Sequence, residues 1–328
     1  MRTTGIPGVV RAAIFVFVVA GGRGAVAQSE TPPVTESAPA VETAPAKEAE
    51  PAEASRHGAH HEELSDLGVL DFFTEGWNQE WKHRHRYTPD MALLRVTTNF
   101  LEREFRLDFV NTQTANNTKV AATDLLNGLI AYGLNRRLML EVIANYQWNV
   151  GYHGSPANGA GTGFLARFQL VDTATESYSF QVRVSPPNRP IGQTQTSMQY
   201  SLAGWQDMHA LIPALGRFGL YYSFTYENLL GPLPKPGARS NDISYDISFA
   251  ETWTPPDMPV IGNFTTFLEF YGTTDLDGTS TSPTVITITP GIRFWFAPLN
   301  SFTFGVDFPI TSTPPLSVAY RATYILNF

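Results

Sequence analysis

The chain contains no cysteine in 328 residues. This excludes a disulfide framework, thiolate metal sites and a thiol nucleophile, and it is compatible with an oxidising envelope. A long apolar run is also missing: the longest, Ala12 to Gly22, is far short of the roughly 20 residues a spanning helix requires. Basic residues are outnumbered, 22 Lys and Arg against 30 Asp and Glu for a net charge of −8, which argues against a nucleic-acid partner. Much of that net charge sits in the linker over residues 28–55, so it says little about a folded part. No phosphate-binding loop, dinucleotide fingerprint or pair of catalytic carboxylates stands out, and no cofactor is expected.

Hydrophobic residues nevertheless make up 43% of the chain and aromatics 12%. A backbone that enters lipid without helices must close on itself as a barrel, the other spanning structure that satisfies its own hydrogen bonds. The organisation along the chain fits that expectation. Arg2 and Arg11 precede an apolar stretch, and Ala25-Val-Ala27 offers a small-x-small cleavage site, so residues 1–27 read as a secretory signal peptide. With no cysteine after that site, a lipoprotein anchor is not expected. Residues 28–60 are rich in Ala, Pro and Glu and bury too little to offset ordering entropy, as in a disordered periplasmic linker. In 61–90, Leu64, Leu67, Leu70, Phe73 and Trp77 recur three or four apart. That spacing, as on a short helix, predicts a helical or irregular segment packed on the barrel rim, on the inner face of the membrane or in the lumen as a plug.

The remainder, 91–328, reads as an all-β, antiparallel, up-and-down transmembrane barrel. Period-two alternation defines twelve segments near 102–114, 118–133, 137–150, 161–174, 177–187, 195–206, 215–227, 240–254, 261–273, 282–296, 300–310 and 315–328, within a range of about ten to fourteen strands. Compact breaks such as Asn135-Arg136 alternate with longer ones rich in Gly, Pro and Asn, such as Gly151–Gly161. That asymmetry is expected of periplasmic turns and external loops. A soluble β-sandwich is the competing fold, but it would turn inward the aromatics that recur on one face of nearly every segment.

If the aromatic face meets lipid, the other lines the lumen. Its charged residues are Glu104, Arg106, Asp108, Arg137, Glu141, Arg167, Arg183, Arg217, Glu227, Asp246, Glu269, Arg293, Asp307 and Arg321. Charge facing lipid at mid-membrane costs about 2–4 kcal/mol per residue, so the segregation supports the assignment of faces. Such a balanced set either pairs across a narrow interior and fills it, or lines a restricted pathway.

The last strand, Leu316 to Phe328, alternates to its end. Tyr324, Leu326 and Phe328 resemble the C-terminal signal by which the barrel-assembly machinery recognises outer-membrane barrels of Gram-negative-type envelopes. Just upstream, Pro290-Gly-Ile-Arg293 and Gly305-Val-Asp-Phe-Pro309 resemble the ending of outer-membrane transporters grouped as the MetA-pathway of phenol degradation family. The resemblance implies an outer-membrane channel or transporter, in contact with outer-membrane lipid and passing small molecules by facilitated diffusion, hydrophobic or aromatic ones among them. It carries over no binding residue. A sealed barrel that anchors or displays is the alternative reading.

Two other patterns carry ligand or catalytic residue types. His57, His60 and His61, with His83 and His85, are ligand types, but a tether gives them no fixed geometry and no metal site is expected. His153-Gly-Ser155 has the spacing used by outer-membrane phospholipases; Pro156 breaks the strand and the supporting Asn is displaced to Asn158, so no enzyme is expected.

Overall fold

A computed structural model describes residues 65–81 and 93–328 apart from 117–118, 151–158, 188–194, 216–217, 232–240, 256–257, 278–283, 298 and 312–315. The period-two stretch forms β1 (Arg103–Asn116), β2 (Lys119–Gly133), β3 (Leu138–Val150), β4 (Gly159–Asp172), β5 (Glu176–Ser185), β6 (Thr196–Asp207), β7 (Phe218–Leu230), β8 (Asn241–Thr252), β9 (Gly262–Asp275), β10 (Thr284–Ala297), β11 (Asn300–Pro309) and β12 (Leu316–Asn327). Each strand pairs with its sequence neighbours, and β1 pairs with β12, so the twelve form a closed antiparallel barrel. The closing register runs from Glu104 opposite Asn327 to Ala115 opposite Leu316, leaving no strand edge unpaired.

The two faces are inverted relative to a water-soluble core. On the outside Phe109, Ile130, Leu140, Val142, Phe164, Leu202, Phe224, Ile247 and Phe304 keep between 39% and 55% of their surface exposed. On the inside Glu141, Arg167, Asp246, Glu269, Arg293 and Asp307 are buried. A sandwich packed on its aromatics is thereby excluded; lipid is the solvent that suits this exterior. Ring pairs such as Tyr146 with Trp148 and Phe302 with Tyr324 pack along the outer wall.

One expectation needs correction. Residues 65–81 form turns, with no helix. Gly76 takes a positive φ of 84°, and Asp71 closes tight turns by accepting from the amides of Thr74 and Glu75. Of the spaced apolar residues described there, only Leu67 is fully buried, whereas Leu70 and Phe73 are exposed; a spacing of three or four yields a helix only when that face has something to pack on. Among the described residues the α-helix is instead α1 (Met208–Leu211), capped by Asp207 and followed by a 3-10 turn, Pro213–Leu215. It accounts for the unusual length of the β6–β7 connection. Residues 93–102 fall within the 91–328 barrel read from sequence, ahead of its first segment. They precede the first strand, and much of that stretch lies inside the barrel.

Candidate functional site: a polar lumen crossed by its own chain

Leu93 to Phe100 touches strands on opposite sides of the cylinder. The Leu93 carbonyl accepts from Arg106 of β1 at 3.4 Å. The amides of Arg95 and Val96 donate to Oε1 of Glu269 on β9 at 3.1 and 3.2 Å, and the Arg95 guanidinium donates to Asp307 of β11 at 2.5 Å. Further along, Gln181 of β5 donates to the Thr98 carbonyl at 2.5 Å, and Asn99 donates to the Ser177 carbonyl of the same strand at 2.9 Å. Arg167 of β4 then donates to the Phe100 carbonyl at 2.5 Å. The segment is an internal strap whose backbone, having no strand partner, bonds to inward side chains instead.

Apolar packing holds the same strap. Leu93, Leu94, Val96 and Phe100 form one buried cluster with Trp205, Tyr221, Ala250 and Phe267 of β6 to β9. Two glycines make room for it. A Cβ on Gly305 would stand 2.4 Å from Leu94, and one on Gly291 would stand 2.2 Å from the Phe267 ring. These two residues are opposite each other in the β10–β11 register, and they are the glycines of the two motifs quoted from the final strands. Their close-approach role is physical: any side chain there would meet the interior packing.

The charged residues expected in the lumen divide into three groups. Asp307 is the centre of the first: it accepts from Arg95, from Arg321 at 2.7 Å and from Thr289 at 2.7 Å. Nearby, Asp246 accepts from Ser223 at 2.6 Å, and Arg293 reaches Thr265 at 3.3 Å. In the second group Arg106 pairs with Asp108 at 2.6 Å, and Arg167 lies 3.9 Å from Glu141. Glu104 is buried beside them on the inner face of β1, and Asp108 also accepts from Thr323 of β12 at 2.7 Å, tying the closing seam. The third group, Arg183 and Glu227, lines an open cavity with Asn145, Ser197 and Gln199. Arg217 lies outside the described residues.

Arg137 belongs to the barrel's end rather than to its channel. Its guanidinium donates to the carbonyls of Glu75, Gln169, Leu170 and Gly68 at 2.9 to 3.2 Å. Burial pulls its pKa below the ordinary arginine value, an effect opposed by Asp71, Glu75 and Asp172. Arg136 beside it donates to the Ser65 carbonyl at 2.6 Å and to Gln79 at 2.7 Å. With the bridge between Leu67 and Asp172, these contacts fasten residues 65–81 as a cap over the β2–β3 and β4–β5 turns. Trp81 completes it, donating to the Leu101 carbonyl at 2.7 Å.

At the C-terminus Tyr324 donates to Asn300 at 2.7 Å. Leu326 is opposite Phe105, and the Phe328 amide donates to the Arg103 carbonyl at 3.0 Å while its ring stays exposed. The histidines of the tether and the His153, Ser155 and Asn158 set lie outside the described residues. Among the described residues no cluster of metal-ligating side chains occurs.

Sequence reading missed the strap, the inward Trp205 and Tyr221, and the polar Gln181 and Gln199. A legible signal existed for part of this: Trp205 and Tyr221 fall on the parity of the polar residues in their strands, against the apolar trend of their neighbours. For the strap there was none beyond apolar residues preceding the first alternating segment.

No family model matches the chain, and no curated protein matches it in sequence. Among solved structures it resembles the COG4313 outer membrane channel from Pseudomonas putida F1, with a TM-score of 0.52 at 10% identity over 76% of this chain and 100% of that one. The NanC porin gives 0.49 at 9% identity over 68% and 100%, and the KdgM porin 0.43 at 12% over 68% and 99%. At these identities the first likeness is one of fold: a closed antiparallel barrel of the kind found in an outer membrane channel.

Proposed function

We propose that this protein is an outer-membrane channel that passes small molecules by facilitated diffusion, with residues 1–27 removed on export, residues 28–60 a periplasmic linker and the 65–81 cap on the periplasmic side. The observation that carries the reading is a polar, charged interior inside an apolar exterior, in a fold shared with an outer membrane channel. The interior is neither open like a wide pore nor filled throughout. The strap narrows one half, and a polar cavity of about 270 Å³ occupies the other. Its Asn, Arg, Ser, Gln and Glu lining favours a polar permeant over the hydrophobic or aromatic class implied by the final-strand resemblance, whereas the aromatic cluster of Trp205, Tyr221 and Phe267 is taken up by the strap. Tyr324, Leu326 and Phe328 would present the assembly signal.

The strap favours a second reading, a barrel sealed by its own chain that serves as an anchor. Planar-bilayer recording separates the two. Discrete openings from the purified mature protein support the channel. Silence from that protein and also from a variant with residues 93–100 replaced by a Gly-Ser linker would leave the sealed barrel.

A further inference from the structure

On the side of the strap away from the 65–81 cap, the lumen opens into the cavity of about 270 Å³. Arg183 is opposite Gln199 in the β5–β6 register, and Gln199 is opposite Glu227 in the β6–β7 register. A cation and an anion therefore line the cavity two strands or roughly 10 Å apart between backbones, with an amide between them.

Arg183 differs from the lumen arginines below it. Arg106, Arg167 and Arg321 each have a carboxylate within 4.0 Å. Among the described residues Arg183 has no carboxylate within that distance, although Glu141 and Glu227 stand two strands away on either side; its Nε is buried and unpartnered, as is Oδ1 of Asn145 in the same wall. Its Nε is withdrawn from water without an acceptor, which is costly, while the rest of the half-buried side chain faces the cavity and keeps its charge near neutral pH. Its planar fork matches a carboxylate through two parallel N–H donors. On the opposite wall Glu227 accepts from the Ser197 hydroxyl and, like any carboxylate, has capacity for more donors.

We propose that this cavity binds a small organic carboxylate bearing a hydroxyl at its far end, with Arg183 holding the carboxylate and Glu227 and Gln199 the hydroxyl. The proposal deepens the channel reading and rests on it only for the consequence for transport, because binding can be read without conductance.

The test is calorimetric titration of the full mature chain in detergent with 4-hydroxybutyrate, butyrate and choline. Saturable binding of 4-hydroxybutyrate is expected. Arg183→Gln should weaken it about tenfold or more, the scale of a lost charge-assisted pair, and Arg183→Lys should fall between. Glu227→Gln should weaken 4-hydroxybutyrate while leaving butyrate unchanged. Heat-modifiable electrophoretic mobility verifies that each variant is folded, and the wild-type comparison stands even where a variant is not. No saturable binding to the wild type, undiminished binding to folded Arg183→Gln, or preference for choline would overturn the site. Equal affinity for butyrate and 4-hydroxybutyrate would overturn the role given to Glu227. Openings in a bilayer without binding would sink this proposal and spare the channel; binding with silence would do the reverse.

Discussion

Arg95 fixes the strap at its middle. Its guanidinium donates to Asp307, and it lies 4.3 Å over the ring of Tyr271. Truncating it removes one charge-assisted bond while Asp307 keeps Arg321 and Thr289, so the carboxylate is not orphaned. Arg95→Ala should therefore destabilise the barrel by about 2 kcal/mol, the lower range for a bond to a charged group, measured by urea unfolding in lipid vesicles. Asp307→Ala is the harsher change, because it strands Arg95 and Arg321 inside together; a loss of about 3–5 kcal/mol is expected in the same assay. At Gly305 the argument is steric. A valine there meets Leu94 and the Pro290 carbonyl, and the carbonyl is backbone that cannot swing aside. Gly305→Val should dislodge the strap, read as faster proteolysis at residues 93–100 with the strands still protected.

Among the elements, the strap is eight residues long and carries no regular structure, yet it bonds to β1, β4, β5, β9 and β11. Because those bonds run to side chains rather than into the strand ladder, the barrel can keep all its strand pairing without them. Replacing 93–100 by a Gly-Ser linker of equal length should leave the β-sheet circular dichroism unchanged and raise single-channel conductance severalfold. The twelve strands themselves were legible nearly to the residue: the segments drawn from alternation differ from the observed ends by three residues at most, as at β7, expected from 215 and found from Phe218. Alternation is legible because each strand separates lipid from polar interior, and a shift of one residue would exchange every side chain between them. The Leu67, Leu70 and Phe73 spacing misled because the same pattern arises without a helix when only one of those side chains finds a buried place.

For the whole molecule, the exterior must suit a membrane all the way round. Leu140 is exposed on the outer wall of β3 while Glu141 beside it is buried within. Near the end of its strand, Leu140→Arg should cost at most about 1 kcal/mol in vesicle unfolding, whereas Phe224→Arg at the middle of β7 should cost about 2–4 kcal/mol. Closure depends on β12, and the amide of Phe328 just after it reaches back to Arg103. Deleting Phe328 should lower the folded fraction recovered from membranes without changing the conductance of the molecules that do fold, since its ring is outside the lumen.

The sequence by itself determined the barrel and placed charge on the face opposite the apolar one, because alternation between two solvents is written locally, in neighbouring residues. Only the tertiary structure decided what those charges do. Whether Arg183 stands open to a cavity while Arg321 is locked to Asp307, and whether Leu93 to Phe100 crosses the interior, depends on which residues meet across the cylinder. Those meetings join positions as distant as Arg95 and Asp307, and no local spacing records them.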